Sequence, residues 1–232
     1  MKAVVLAGGL GTRLREKVPD LPKPMAPVAG RPFLEYLLDH LVAAGVSEVI
    51  LSVGYRAEAI QAYFGGDHRG MALRYAIEAE PLGTGGAIVH ALRGEGPEPV
   101  LLLNGDTFLN IDLAALIRWY QAAPSQVAMV LRQTPDVSRY GAVELAGDRV
   151  ARFAEKGRAG PGLINAGIYL LMPELFAAMG LPERFSFEAE ILQRHCDTLR
   201  PRAYVTDAYF IDIGVPEDFD RAQRELPVIA AQ

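Results

Sequence analysis

The first strand-like run, Ala3-Val4-Val5-Leu6-Ala7, passes directly into Gly8-Gly9-Leu10-Gly11-Thr12-Arg13-Leu14. Glycines there let the backbone come close to a ligand and turn its N–H groups toward an anion at the carboxyl edge of a sheet. A Walker-type loop would end in Gly-Lys-Ser or Gly-Lys-Thr, and no Gly-Lys dipeptide occurs in the chain. A dinucleotide fingerprint would place a third Gly where Leu14 stands and an acid at the end of the second strand, where Gly54-Tyr55 stand. The loop carries Arg13 instead, followed by Lys23 between Pro22 and Pro24. Proline fixes its own φ and disfavours a helical conformation in the residue before it, so Lys23 is expected on a stiff, extended segment. Two cations beside a glycine-rich loop suit phosphate chemistry.

Asp106 follows the apolar run Val100-Leu101-Leu102-Leu103 through Asn104-Gly105, and Asp212 follows Phe210-Ile211 in the same manner. Strand-end placement puts both carboxylates at the ligand edge, although on the residues alone either acid is equally a turn or cap residue. Asn165 lies inside the otherwise apolar stretch 163–172, where a buried amide needs a partner, either a ligand or a structural hydrogen bond. His40, His68, His90 and His195 have no metal-ligand spacing and receive no role. The single cysteine, Cys196, cannot close an internal disulfide and is expected to be a buried small hydrophobe, with nothing to argue for an oxidising compartment.

Elements that would position these residues alternate in βαβα order: strands at 3–7, 48–53, 73–77 and 100–103, helices at 33–44, 57–64, 84–92 and 113–121. Phe33, Leu37, Leu38, Leu41 and Val42 form one apolar helical face, ended by Gly45. Solid apolar strands fit a parallel sheet covered on both faces, hence an α/β, doubly wound, mostly parallel mixed sheet of Rossmann-like type. After about Ala123 the strands come closer together, at 127–131, 142–145, 150–154 and 163–171, with Gly147-Asp148 at a hairpin turn. An antiparallel or mixed extension is expected there, closed by helices near 187–194 and 216–224. The chain reads as one domain over 1–232, with a mainly nucleotide-binding half at 1–123 and a second half at 124–232.

The 232 residues are 50% hydrophobic and 22% charged, enough to bury a core. A net charge of -5 is the wrong sign for a nucleic-acid partner, but not for a small phosphorylated ligand held by a few local cations. The apolar start stops at Gly8, short of a signal-peptide core, and nothing approaches a membrane span. A cytoplasmic location is expected.

Taken in order, the glycine-rich opening 6–14, Pro22-Lys23-Pro24, Leu82-Gly83-Thr84-Gly85-Gly86-Ala87, Asn104-Gly105-Asp106, Glu155-Lys156, Asn165-Ala166-Gly167 and Asp212-Ile213-Gly214 resemble the sugar-1-phosphate nucleotidyltransferases. The stretches at 24–27, 138–141, 185–188 and 209–218 most resemble members of that family that join guanylate to a heptose 1-phosphate. The resemblance implies attack by a sugar 1-phosphate on the α-phosphorus of an NTP with release of pyrophosphate, a reaction that needs positioning and charge neutralisation rather than a protein nucleophile.

By the same resemblance, Arg13 and Lys23 hold the triphosphate, over the backbone of Leu6, Ala7, Gly8, Gly9, Gly11 and Thr12. Lys156 meets the sugar phosphate, and Asp106 and Asp212 hold Mg²⁺. Gly83 and Thr84 lie at the nucleoside. Glu78 stands where relatives that read uracil or thymine commonly carry Gln; its carboxylate can accept the N1–H and 2-amino group of guanine, which points to GTP, although a salt-bridged strand-end Glu fits as well. Tyr140, Gly141, Glu155 and Asn165 are implied at the sugar, D-glycero-α-D-manno-heptose 1-phosphate in the first instance. Uridylyltransferases for N-acetylmuramic acid 1-phosphate and guanylyltransferases for mannose 1-phosphate are the alternatives. A non-catalytic regulatory homologue that binds nucleotide-sugars, or a glycosyltransferase with an Asp-x-Asp motif, fits the motifs less well. The chain is expected to act as a stand-alone transferase, with any regulation acting through an interface in a homo-oligomer.

Overall fold

The computed structural model describes residues 1–9, 14, 17–19, 21–154, 157, 159–177 and 179–231. The strands are β1 (Ala3–Leu6), β2 (Pro27–Val28), β3 (Arg31–Pro32), β4 (Glu48–Val53), β5 (Asp67–His68), β6 (Met71–Ile77) and β7 (Val100–Asn104). They continue with β8 (Thr107–Leu109), β9 (Val127–Thr134), β10 (Val143–Ala146), β11 (Arg149–Phe153), β12 (Gly162–Leu171), β13 (Arg202–Thr206) and β14 (Phe210–Asp212). The α-helices are α1 (Phe33–Ala43), α2 (Ala57–Phe64), α3 (Gly83–Ala91), α4 (Leu113–Ala122), α5 (Cys196–Leu199) and α6 (Pro216–Ile229), joined by a wide π-type helical segment at Phe187–Gln193.

Ten strands form one mixed sheet in the order β10-β11-β13-β9-β12-β7-β1-β4-β6-β5. β1 pairs in parallel with both β4 and β7, and β4 with β6. From β7 onward the sheet turns mixed: β12 runs antiparallel to β7 and β9, while β13 is parallel to β9. The chain leaves β1 toward β4 and later returns to its other side as β7. Such a reversal opens a crevice at the carboxyl ends of the strands.

Strand alternation explains why the sheet is covered on both sides. Ala3, Val5, Val49, Leu51, Leu101 and Leu103 join one core with buried residues of α1, α2, α4 and α6. Val4, Ile50, Val100 and Leu102 join a second core with Ile88 of α3, Phe187, Ile191 and Cys196. Successive side chains of a strand point to opposite faces, so a solid apolar run serves two cores at once. The helix α1 ends as expected, with Gly45 at φ +75° and the Val46 N–H donating to the Leu41 carbonyl at 3.1 Å. Cys196 is buried, and burial pushes its thiol pKa up.

Two features depart from the sequence expectations. The short strands β2, β3, β5, β8 and β13, and the pairing of β8 with β14, were not anticipated, because runs of two to five residues carry little periodicity. Lys23 is not on an extended segment. It opens a 3₁₀ turn, Lys23–Met25, in which the Met25 N–H donates to Pro22 O at 2.8 Å and the Ala26 N–H to Lys23 O at 3.0 Å. Pro24 falls where a helical turn needs no N–H, so the prolines stiffen a turn rather than a strand.

Candidate active site

The loop after β1 is held by its neighbours: the Ala7 N–H donates to Ser52 O at 2.8 Å, and the Gly105 N–H to Leu6 O at 2.9 Å. Gly8 is required by crowding, since a Cβ there would stand 2.7 Å from Glu78 Oε1 and 3.2 Å from the Gly54 nitrogen. The motif residues Gly11, Thr12 and Arg13 lie outside the described residues, as do Glu155 and Lys156.

Glu78 caps the end of β6. Its Oε1 accepts from Ser52 Oγ at 3.1 Å and its Oε2 from the Leu82 N–H at 3.0 Å, so neighbouring donors rather than a salt bridge fix it among the described residues. Gly83 then turns the chain into α3 at φ +71°, where a side chain would strike the Phe185 carbonyl. The Thr84 hydroxyl donates to Glu188 Oε2 at 2.6 Å and accepts the Phe187 N–H at 2.9 Å, which ties α3 to the segment at 185–188.

On the other side of the crevice, the turn after β7 presents Asp106. β8 pairs with β14 so that Thr107 faces Asp212, and the Ile213 N–H donates to Asp106 O at 3.1 Å. The two carboxylates, far apart in sequence, thereby share one cation: Lys23 Nζ is 2.6 Å from Asp106 Oδ2 and 3.8 Å from Asp212 Oδ1. Asp212 is held further by the Gly214 N–H on Oδ1 at 2.7 Å and by Arg139 Nη2 on Oδ2 at 3.0 Å.

Leu6, Ala7, Gly8, Gly9, Lys23, Glu78, Gly83, Thr84 and Asp106 line a single cavity of about 260 Å³ at the carboxyl ends of β1, β4, β6 and β7. Tyr140, Gly141 and Asn165 do not line it. Tyr140 packs edge-on against Phe210 with ring centroids 5.8 Å apart, and burial pushes its hydroxyl pKa up to about 12. Gly141 follows at φ +81°. Asn165 sits at a break in the β9–β12 register, where its Nδ2 donates to Tyr169 Oη at 2.6 Å and its Oδ1 accepts the Gly167 N–H at 3.1 Å. These structural hydrogen bonds take up one N–H and one lone pair of its amide.

Sequence reasoning passed over Ser52 and Asn104, which also line the cavity. Ser52 is fully buried within an apolar strand, and Asn104 Oδ1 is a buried acceptor with no partner among the described residues. Both are polar side chains in apolar runs, the same signal that singled out Asn165. Among the described residues, no group of three or more His, Cys, Asp or Glu converges as a preformed metal cage. Asp106 and Asp212 converging on one ammonium are a donor set that suits Mg²⁺, which takes one or two carboxylates and completes its shell with substrate oxygens and water.

The arrangement of glycine loop, lysine and paired carboxylates agrees with the comparison to known proteins, in which the family described as "Nucleotidyl transferase" matches residues 2–227. The chain belongs to the nucleotidyl transferase family. This nucleotidyl transferase is 47% identical over 220 residues to a D-glycero-alpha-D-manno-heptose 1-phosphate guanylyltransferase of Campylobacter jejuni, covering 94% of this chain and 97% of that protein. A protein of the same description from Aneurinibacillus thermoaerophilus is 42% identical over 226 residues, covering 97% and 98%. Among solved structures, HddC from Yersinia pseudotuberculosis complexed with GMP-PN matches this nucleotidyl transferase with a TM-score of 0.84 at 37% identity, covering 97% of this chain and 99% of that one. Among the described residues, no helix is long and apolar enough to cross a membrane.

Proposed function

We propose that this protein transfers a guanylyl group from GTP to D-glycero-α-D-manno-heptose 1-phosphate, giving the GDP-sugar and pyrophosphate. The observation that carries this reading is near-complete, 42–47% identity to two proteins described as performing that reaction. The guanine-nucleotide complex of HddC supports GTP as the donor.

In this reading a phosphate oxygen of the heptose 1-phosphate attacks the α-phosphorus of GTP, and the bond to the β-phosphate bridging oxygen breaks. The backbone of Leu6, Ala7, Gly8, Gly9, Gly11 and Thr12 would serve the triphosphate. Lys23 and Arg13 offset the charge that accumulates as two anions meet, and Lys156 does the same for the sugar phosphate. When bound, Mg²⁺ would neutralise phosphate oxygens; Asp106 and Asp212 would hold it. Glu78, oriented by Ser52 and Leu82, still has lone pairs for the adjacent donors of guanine. Gly83 and Thr84 border the nucleoside. Tyr140, Gly141, Glu155 and Asn165 serve the sugar, carried by the mixed part of a doubly wound, single-domain sheet, and the enzyme works in the cytoplasm.

The test is a pyrophosphate-release matrix of GTP, UTP, ATP, CTP and dTTP against heptose, mannose, glucose and N-acetylmuramate 1-phosphates with Mg²⁺. GTP with the heptose phosphate is expected to exceed every other pair in kcat/KM. A preference for UTP, or for mannose 1-phosphate, overturns the assignment.

A further inference from the structure

We infer that Arg139 is a positioning residue for Asp212, holding that carboxylate in the one orientation in which it faces Lys23 and Asp106. This rests on the metal-holding role proposed for Asp212. Arg139 lies in the turn between β9 and β10, in the mixed part of the sheet. Its Nη2 donates to Asp212 Oδ2 at 3.0 Å while its Nη1 donates to Asp218 Oδ2. The other oxygen of Asp218 accepts from Arg221 Nη1 at 2.8 Å.

Asp218 is 9% exposed, on the first turn of α6, so it is a fixed anchor rather than a mobile surface acid. The guanidinium also lies over the Tyr140 ring, 4.8 Å from its centroid, which confines it in the third direction. With the Gly214 N–H on Oδ1, each oxygen of Asp212 meets a donor anchored by a different segment of chain. Asp212 is thus held in place from both oxygens before any ligand arrives.

The planar fork gives each carboxylate its own nitrogen in a fixed geometry, whereas a lysine at this position would offer both a single nitrogen on a flexible stem. Removing the partner that orients a metal-holding group typically lowers metal affinity roughly 10- to 100-fold while the group itself remains. A purely structural ion pair would lower thermal stability and leave metal affinity alone.

Mn²⁺ is therefore titrated into the GTP-saturated protein, followed by water-proton relaxation, for wild type, Arg139→Lys, Asp218→Asn and Asp212→Asn. Arg139→Lys is expected to weaken Mn²⁺ binding roughly 10-fold or more, with a matching rise in the Mg²⁺ concentration needed for half-maximal turnover and an unchanged Tm. Asp218→Asn should shift both in the same direction by less, and Asp212→Asn by at least as much. Wild-type Mn²⁺ affinity in Arg139→Lys alongside weakened binding in Asp212→Asn overturns the positioning role alone. Unchanged affinity in Asp212→Asn overturns both that role and the metal reading on which it stands.

Discussion

Lys23 Nζ stands 2.6 Å from Asp106 Oδ2 at the mouth of the crevice, and only 11% of the lysine side chain is exposed. The role proposed for this cation, beside a glycine-rich loop, is to meet phosphate. Lys23→Met and Asp106→Ala are each expected to lower kcat by about 100-fold or more, the usual loss when a group that stabilises transition-state charge is removed. Stability should change by no more than about 1 kcal/mol, since neither side chain fills a core. Steady-state kinetics and thermal melts check both halves, and loss of folding in both variants would remove them from the catalytic machinery.

The Glu78 carboxylate, proposed to read the base, is fixed by Ser52 Oγ and the Leu82 N–H. Glu78→Gln replaces one acceptor oxygen with a donor. The kcat/KM for GTP should fall roughly 10- to 100-fold, equivalent to the ~1.5–3 kcal/mol of a hydrogen bond to a charged group. The ratio of GTP to UTP turnover should fall with it. An unaltered ratio removes Glu78 from recognition of the base.

Gly85 is fixed by packing rather than by backbone shape. A Cβ there would lie 2.0 Å from Phe185 Cε2, and Phe185 is itself buried in the second core. Gly85→Ala is expected to cost about 1–3 kcal/mol through overpacking. For a chain of this size that lowers Tm by about 2–4 °C for each kcal/mol. Gly9→Ala, where no atom of the described residues lies within 4 Å of the new Cβ, should melt as the wild type does. Equal melting of the two variants would show that Phe185 has room to move.

Acid should unfold the protein in two stages. His40 packs against Phe108 with centroids 5.3 Å apart, and burial holds its pKa below the ordinary 6.5. The unfolded chain therefore takes up a proton that the folded ring refuses, so this contribution is complete above pH 6.5 and is lost below it. Lys2 holds the Glu95 carboxyl below its ordinary 4.5, and Arg74 does the same for Glu48. That second contribution is present above pH 4.5 and lost as the pH falls through the folded values. Calorimetry from pH 8 to pH 2 should show both slopes; His40→Leu should flatten the first and Glu95→Gln part of the second. A wild-type Tm constant between pH 7 and pH 5 contradicts the buried neutral His40.

Much of the scaffold was legible in the residues. Strands such as Val100–Asn104 announce themselves because they are apolar on both faces, and α1 because its buried residues recur at helical spacing. The glycine loop, Lys23, Glu78, Gly83, Thr84 and Asp106 were identifiable from motif order, and the fold gathers the described ones around one cavity. Ser52 shows only as one hydroxyl in an apolar strand, a weaker form of the signal that singled out Asn165.

The sequence alone determined which of the longer segments become strands and helices, since hydrophobic period and turn chemistry are local properties. It determined too which residue types were available for phosphate and metal chemistry. Tertiary structure decided which of them meet. The β8–β14 pairing brings Asp212 to Asp106, and the turn after β9 delivers Arg139 to Asp212 and Asp218. Short strands pair by partners supplied from elsewhere in the chain, and a guanidinium that bridges two carboxylates depends on distances that residue spacing does not encode.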